Sequence, residues 1–264
     1  LRVLVLCLPN NPSGSCLIGE EAKLLAAELE YQLIKYPDSF SVLLDEVYTG
    51  IAQPDHTSIL CHASEALRKV CFLTISASKG LGGAPGARAG FVVCEDDYLV
   101  RQCEKVQMAT GANVSVISQR ILEASLRHVL DNKEGVLDSV YMHYREKTDY
   151  VCDRLEQMDQ TYCANANNTR ALCPKRTEGT FYVLACFECL GDTDLEVQRV
   201  LRDAYKEEHA EYGVAVVPLS AFDVDESLCM VRICCAVDLD LLEKAMDVVE
   251  AMVVKAMGKN KTEG

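Results

Sequence analysis

Short apolar runs separated by helical stretches dominate the first hundred residues. Residues 3–8, 41–47 and 91–94 form three such runs, and residues 66–75 combine the end of a helix with a further run. Residues 20–36 between the first two runs have a helical pattern that stops at Pro37. Residues 3–8 are apolar throughout, so we expect a buried strand there. Strands that alternate with helices predict a mostly parallel sheet with helices on both faces.

The pattern changes in the second half of the chain. Residues 96–158 are helical in several segments, and residues 133–158 are long enough to connect two domains. Short strands are predicted at 180–185, 214–217 and 229–235, with a helix at 195–208. At the C-terminus one helical face carries Leu242, Ala245, Met246, Val249, Val253 and Ala256. We therefore predict an α/β domain over residues 1–135, then a connecting helix and a smaller α+β domain over residues 136–264.

Composition excludes several classes of protein. The 264 residues include 40 acidic and 26 basic ones, and the net charge of -14 disfavours non-specific nucleic-acid binding. No apolar run approaches the roughly 18–20 residues of a membrane span. The 14 cysteines are scattered, and the one CxxC, from Cys186 to Cys189, lies in a strand-like run where burial is expected and a metal site is not. Many unpaired cysteines indicate a reducing compartment, either the cytoplasm or an organelle.

Three polar loops follow three consecutive predicted strands. They are NNPSG at residues 10–14, DEVY at 45–48 and SASK at 76–79. Each alone is ordinary turn or surface sequence, but parallel strands end at one edge of a sheet, where ligands bind. There the Lys79 amine, once unprotonated, could condense with an aldehyde. The loops therefore predict one shared site at this edge.

The residues around Lys79 suit a phosphorylated pyridine aldehyde. Arg88 and the hydroxyls of Ser76 and Ser78 could hold a phosphate through charge-assisted hydrogen bonds. Asp45 could pair with a protonated ring nitrogen, as an aspartate does in sites for pyridoxal 5'-phosphate (PLP). Asn11 and Tyr48 could both reach a ring hydroxyl.

These motifs in this order resemble the fold-type-I class I and II aminotransferases. The family pattern is NP(T/S)G, then D-x-x-Y, then S-x-S-K followed by an arginine, and in this chain the last part is SASKGLGGAPGARAG. Residues 179–182, 218–222 and 230–233 resemble later segments of the family, so the resemblance covers nearly the whole chain. Nine positions separate Lys79 from Arg88, a spacing similar to that of alanine aminotransferases.

The resemblance implies a role for each matching residue. Lys79 forms the Schiff base with PLP and shuttles a proton, and Asp45 binds the ring nitrogen. Tyr48 and Asn11 bind the ring hydroxyl, and Asn11 also meets the substrate carboxylate. The remaining roles are phosphate binding by Ser76, Ser78 and Arg88, and α-carboxylate binding by Arg232. No metal is implied. The substrates are an amino acid and a 2-oxo acid, and the full-length form is a homodimer.

The same resemblance implies that the first part of the family sequence is missing. Residues 1–135 then form the C-terminal part of the large PLP-binding domain, and we expect the 264-residue chain alone to be inactive. Leu1 is not an initiator methionine, which leads us to expect that the chain starts inside a longer protein. Carbon–sulfur β-lyases and aminocyclopropane-carboxylate synthases share all of these motifs and stay open as alternatives.

Two further features of the sequence bear on function. Aminotransferase-like transcription regulators add a helix-turn-helix segment, which we do not find in this sequence. No arginine lies between Arg101 and Arg120, and Met108 falls where aspartate aminotransferases carry the arginine that binds a distal carboxylate. This favours a neutral or aromatic amino donor.

Overall fold

The structure is a computed structural model that describes residues 2–81, 83–163, 172, 174–206 and 211–259. Its contacts divide the chain into two compact units. The first comprises Leu1–Asn11, Ser15–Met142 and Glu178–Thr180, and the second comprises Pro12–Gly14, His143–Thr177 and Phe181–Gly264. The division falls after Met142 within a long helix, whereas the sequence led us to place a boundary after residue 135.

The first unit is built on a four-stranded sheet in the order β1-β2-β3-β4. Its strands are β1 (Arg2–Cys7), β2 (Phe40–Asp45), β3 (Cys71–Ser76) and β4 (Gly90–Val93). The first three strands are parallel, and β4 is antiparallel to β3. The predicted α/β class with a mostly parallel sheet is therefore confirmed.

Four helices accompany this sheet. They are α1 (Gly19–Lys35), α2 (Glu65–Lys69), α3 (Asp97–Thr110) and α4 (Val116–Asp131). α1 ends just before Pro37, which cannot continue a helix. Its Ala26 and Leu29 are buried in one cluster with Val42 and Leu44 of β2. This packing fixes the strand that ends in Asp45.

The prediction that residues 3–8 form a buried strand is wrong, because residues 3–5 are exposed and residues 6–8 are only partly buried. Val3 is 52% exposed and Val5 is 59% exposed. Among the residues that the structure describes, β1 lies at the edge of the sheet and pairs only with β2. Successive side chains of a strand point to opposite faces, and the exposure of Arg2 to Val5 in succession shows that both faces are open in the described residues.

The second unit contains a three-stranded antiparallel sheet in the order β5-β7-β6. α5 (Lys133–Met158) contributes to both units. The elements that follow it are β5 (Tyr182–Cys186), α6 (Asp194–Arg202), β6 (Val217–Pro218), β7 (Met230–Cys234) and α7 (Leu239–Lys259). Val183, Phe187, Leu201, Met246 and Val249 belong to its buried core. None of the helices within the described ranges is long and apolar enough to cross a membrane.

Two elements of this unit are shorter than predicted. The strand expected at 214–217 is only Val217–Pro218, because the Val214 N–H donates to the Leu201 carbonyl at 2.8 Å and not to a strand. The helix expected at 195–208 is α-helical only to Arg202 and continues as a 3-10 turn over Asp203–Lys206. Residues 207 and 208 lie outside the described residues.

Candidate active site

The three predicted loops leave the same edge of the first unit's sheet. Cys7, Asp45 and Thr74 are Cα partners in one row across β1, β2 and β3. Asp45 is the last residue of β2, Ser76 is the last residue of β3, and Asn11 follows β1. Because the three strands are parallel, this row marks their carboxyl ends.

The Asp45 carboxylate has neighbours on both adjacent strands. Its Oδ1 accepts a hydrogen bond from Thr74 Oγ1 at 3.1 Å. On the other side lies the Cys7 thiol, whose pKa is raised by burial and raised further by the charge of Asp45, while a hydrogen bond from the Asn11 backbone opposes the shift. The thiol therefore stays protonated at neutral pH. Neither Thr74 nor Cys7 was predicted as a site residue, since their place beside Asp45 depends on strand register.

Lys79 and Tyr48 lie together at this edge. The Lys79 Nζ atom is 5.5 Å from the centroid of the Tyr48 ring. Tyr48 is only 4% exposed, so packing holds its ring in place beside the Lys79 side chain. The amine is thus next to the phenol that the resemblance assigns to the same cofactor.

A close backbone approach joins the loops that carry these two residues. A Cβ atom on Gly80 would lie 2.6 Å from the Gly50 Cα, and a Cβ on Gly50 would lie 2.5 Å from the Gly80 carbonyl carbon. Only glycine fits at either position. Gly50 was not named from the sequence, although it follows the DEVY motif by two positions.

The glycine-rich loop after Lys79 folds back on β3. The Gly83 N–H donates to the Lys79 carbonyl at 2.8 Å, and the Ala84 N–H donates to the Ala77 carbonyl at 2.9 Å. The Ala77 N–H in turn donates to the Ala89 carbonyl at 3.0 Å. Gly82 lies outside the described residues. These bonds hold the chain on both sides of the predicted phosphate-binding residues.

Of the three predicted phosphate ligands, Ser76 and Ser78 lie together, and Arg88 makes a separate contact with its own loop. Ser76 Oγ accepts the Ser78 N–H at 3.1 Å, so these two residues lie together. Arg88 is exposed, has a left-handed backbone with φ 50°, and donates from Nη1 to the Pro85 carbonyl at 3.1 Å. To bind a phosphate together with Ser76, the Arg88 guanidinium would have to leave the neutral Pro85 carbonyl. The charged phosphate is the stronger hydrogen-bond acceptor, so this exchange is favourable.

In the second unit, Arg232 lies among aromatic rings from two other predicted segments. Its Cζ is 4.0 Å from the Tyr182 ring centroid and 5.3 Å from the Phe222 ring centroid. At this position beside the rings, the planar guanidinium can present its N–H fork to a carboxylate. The turn Leu219–Phe222 is held by Asp194, which is 1% exposed and accepts from Ser220 N at 2.7 Å and from Ser220 Oγ at 3.1 Å.

The CxxC cysteines belong to the interior of this unit. Cys186 is 6% exposed in β5, and Cys189 packs against the same core. Desolvation by burial raises the pKa of Cys189 to about 12. Within the residues that can be described, no group of three or more His, Cys, Asp or Glu side chains could hold a metal ion.

A mostly parallel sheet with a lysine, a buried tyrosine and an aspartate at its carboxyl edge is the arrangement of the fold-type-I PLP-dependent transferases. Residues 1–249 match the family model described as aminotransferase class I and II. The chain therefore belongs to this family.

Curated relatives and solved structures agree with this assignment. The chain is 29% identical to an aspartate aminotransferase of Pinus pinaster, with 94% of this chain and 47% of that protein covered. It is also 29% identical to a probable N-acetyl-LL-diaminopimelate aminotransferase of Bacillus subtilis, with 96% and 56% covered. The aspartate aminotransferase of Thermus thermophilus with maleate has the same fold, with a TM-score of 0.74, 21% identity, and 95% and 56% covered. A PLP-bound structure from Clostridium difficile 630 has a TM-score of 0.75 at 20% identity, with 96% and 58% covered. The chain spans about half the length of the curated relatives it matches.

Proposed function

We propose that the complete protein is a PLP-dependent aminotransferase that moves an amino group from an amino acid to a 2-oxo acid. The observation that carries the proposal is the Lys79 amine beside buried Tyr48, at the sheet edge where β2 ends in Asp45. Family membership supports the same reaction, because the curated relatives of the chain are aminotransferases.

The donor set of the first unit fits PLP. The cofactor has an aldehyde, a ring nitrogen, a ring hydroxyl and a phosphate, and it supplies a ring that withdraws electrons from the bond to be broken. Lys79 would hold the aldehyde carbon, and Asp45 would face the ring nitrogen. Tyr48 and Asn11 would bind the hydroxyl. Ser76, Ser78 and Arg88 would bind the phosphate.

The chain's own residues then perform three tasks. Asp45 keeps the ring nitrogen protonated through its negative charge. The Lys79 amine would serve as the general base that takes the proton from the substrate Cα and as the acid that gives it back. Arg232 binds the α-carboxylate through the guanidinium held over Tyr182. A homodimer in the cytoplasm is the assembly and location that we propose for the complete protein.

Borohydride reduction of the complete protein loaded with PLP tests the assignment. Reduction should fix a pyridoxyl group on Lys79, and peptide mapping should find it there. The Lys79→Ala variant should bind PLP without a covalent bond and lose most turnover. Lys105→Ala is the matched control, because Lys105 lies on exposed α3. A label on Lys105 or on Lys147 would overturn the proposal.

A further inference from the structure

We propose that Thr74 is a positioning residue that holds the Asp45 carboxylate in the orientation needed to face the ring nitrogen of the cofactor. The inference rests on the proposed function, because it takes Asp45 as the partner of that nitrogen. Thr74 itself would touch neither the cofactor nor the substrate in this role.

The sheet fixes the two residues relative to each other. Asp45 and Thr74 are Cα partners on parallel β2 and β3, and the Glu46 N–H donates to the Thr74 carbonyl at 3.2 Å. Threonine is β-branched and stiff about its first side-chain bond, so its hydroxyl has few positions to choose from. The hydroxyl is therefore a fixed donor at the edge where the predicted loops emerge.

The hydroxyl of Thr74 has two acceptors within reach. Oγ1 lies 3.1 Å from Asp45 Oδ1 and 3.3 Å from the Leu44 carbonyl. A hydroxyl has one proton to donate. A carboxylate is the stronger acceptor because it is charged, and at Thr74 it is also the nearer one. We infer that the proton is shared mainly with Asp45.

Holding one oxygen of a carboxylate fixes the plane of the whole group. The direction in which the other oxygen accepts a hydrogen bond is then fixed as well. A ring nitrogen keeps its proton best when the carboxylate lies in line with the N–H bond. Without the Thr74 hydroxyl, Asp45 would keep its charge but lose its orientation.

This role differs from that of a threonine that only suits a strand. Thr74→Val keeps the shape and the strand propensity and removes only the hydroxyl. Thr74→Ser keeps the hydroxyl and removes a methyl group. A positioning role predicts that valine is damaging and serine is not, whereas a packing role predicts the reverse.

The experiment uses the complete protein reconstituted with PLP that carries ¹⁵N in its ring. NMR of the bound cofactor reports the protonation of that nitrogen, and steady-state kinetics report kcat and KM. Thr74→Val should shift the ¹⁵N signal toward the unprotonated position and lower kcat about tenfold, the effect of one lost hydrogen bond to a charged group, with KM nearly unchanged. Thr74→Ser should restore both values. Thr148→Val is the matched control, because this buried threonine donates only to the Arg145 carbonyl at 3.0 Å among its described bonds.

Each outcome decides one question. A wild-type signal and kcat in Thr74→Val would overturn the inference, and so would a Thr74→Ser variant as damaged as Thr74→Val. Thr74→Ala gives the same test if the valine variant does not fold. The Asp45→Asn variant tests separately whether Asp45 is the partner of the ring nitrogen and whether Thr74 orients it. If the ¹⁵N signal of Asp45→Asn is that of the wild type, Asp45 is not the partner of the ring nitrogen. The role proposed for Asp45 and the role inferred for Thr74 then both fail. If Asp45→Asn shifts the signal and Thr74→Val does not, only the inference fails.

Discussion

Replacing Gly80 by alanine adds a methyl group where two backbones meet. A Cβ at this position would lie 2.6 Å from both the carbonyl carbon and the Cα of Gly50, and 2.7 Å from its nitrogen. Carbon atoms in ordinary contact are roughly 3.5–4.0 Å apart. The two loops must therefore separate by about 1 Å, because neither partner is a side chain that can rotate away.

The separation should weaken both stability and catalysis. Overpacking of this kind costs about 1–3 kcal/mol. Lys79 precedes Gly80, and Tyr48 lies two residues before Gly50, so a shift of the loops changes the 5.5 Å spacing between the Lys79 amine and the Tyr48 ring. A misplacement of about 1 Å can lower turnover roughly a hundredfold. The melting temperature and kcat of the complete Gly80→Ala protein should both fall.

Gly86→Ala is the matched control in the same loop. A Cβ on Gly86 would meet no atom of the described residues within 4 Å, and its backbone does not need the left-handed region that favours glycine. This variant should keep the stability and kcat of the wild type. Equal behaviour of Gly80→Ala and Gly86→Ala would refute the claim that the Gly50–Gly80 contact sets the position of Lys79.

Three further predictions concern charged groups. Asp45→Asn should lower kcat by about a hundredfold or more and retain PLP, while Asp45→Glu, which keeps the charge, should be milder; near-native turnover of the asparagine variant would contradict the role. Arg232→Lys should raise KM about tenfold or more for donors and acceptors in parallel, since lysine lacks the planar fork, and an effect on one donor alone would mean that Arg232 contacts a side chain. Burial lowers the pKa of His56 below 6.5, so its neutral form stabilises the fold above pH 6.5, and this stability is lost as the pH falls through the lowered pKa. Melting curves from pH 7 to pH 5 should therefore drop more for the wild type than for His56→Gln, and parallel curves would exclude this effect.

Much of the fold follows from the spacing of apolar runs. The runs at residues 3–8, 41–47 and 66–75 correspond to three adjacent parallel strands, because each is separated from the next by a connection long enough to cross over. Two features did not follow. The antiparallel direction of β4 depends on a short return through the glycine-rich loop, and the exposure of Val3 and Val5 depends on what lies beside β1. A run of apolar residues specifies neither the direction of a strand nor what packs beside it.

The candidate site shows the same limit on a smaller scale. Motif order predicts that Asn11, Asp45 and Lys79 share one edge, since it needs only the parallel arrangement of the strands. The contact between Thr74 and Asp45 requires the register of β2 against β3, which a residue pattern does not specify. The left-handed backbone of Arg88 could not be predicted from the sequence either, because non-glycine residues with positive φ are uncommon.

The residues proposed to position the reacting groups differ in kind from Arg232, the residue proposed to bind the carboxylate. In the first unit, Thr74 pairs with Asp45 through strand register, and Gly80 next to Lys79 makes a close backbone contact with Gly50. In the second unit, Arg232 lies against the Tyr182 ring of β5 and the Phe222 ring of a turn that buried Asp194 anchors. Changes at the first set alter orientation at the reacting atoms and should appear in kcat. Changes at the second set weaken a contact present before and during the reaction, and such uniform binding appears in KM.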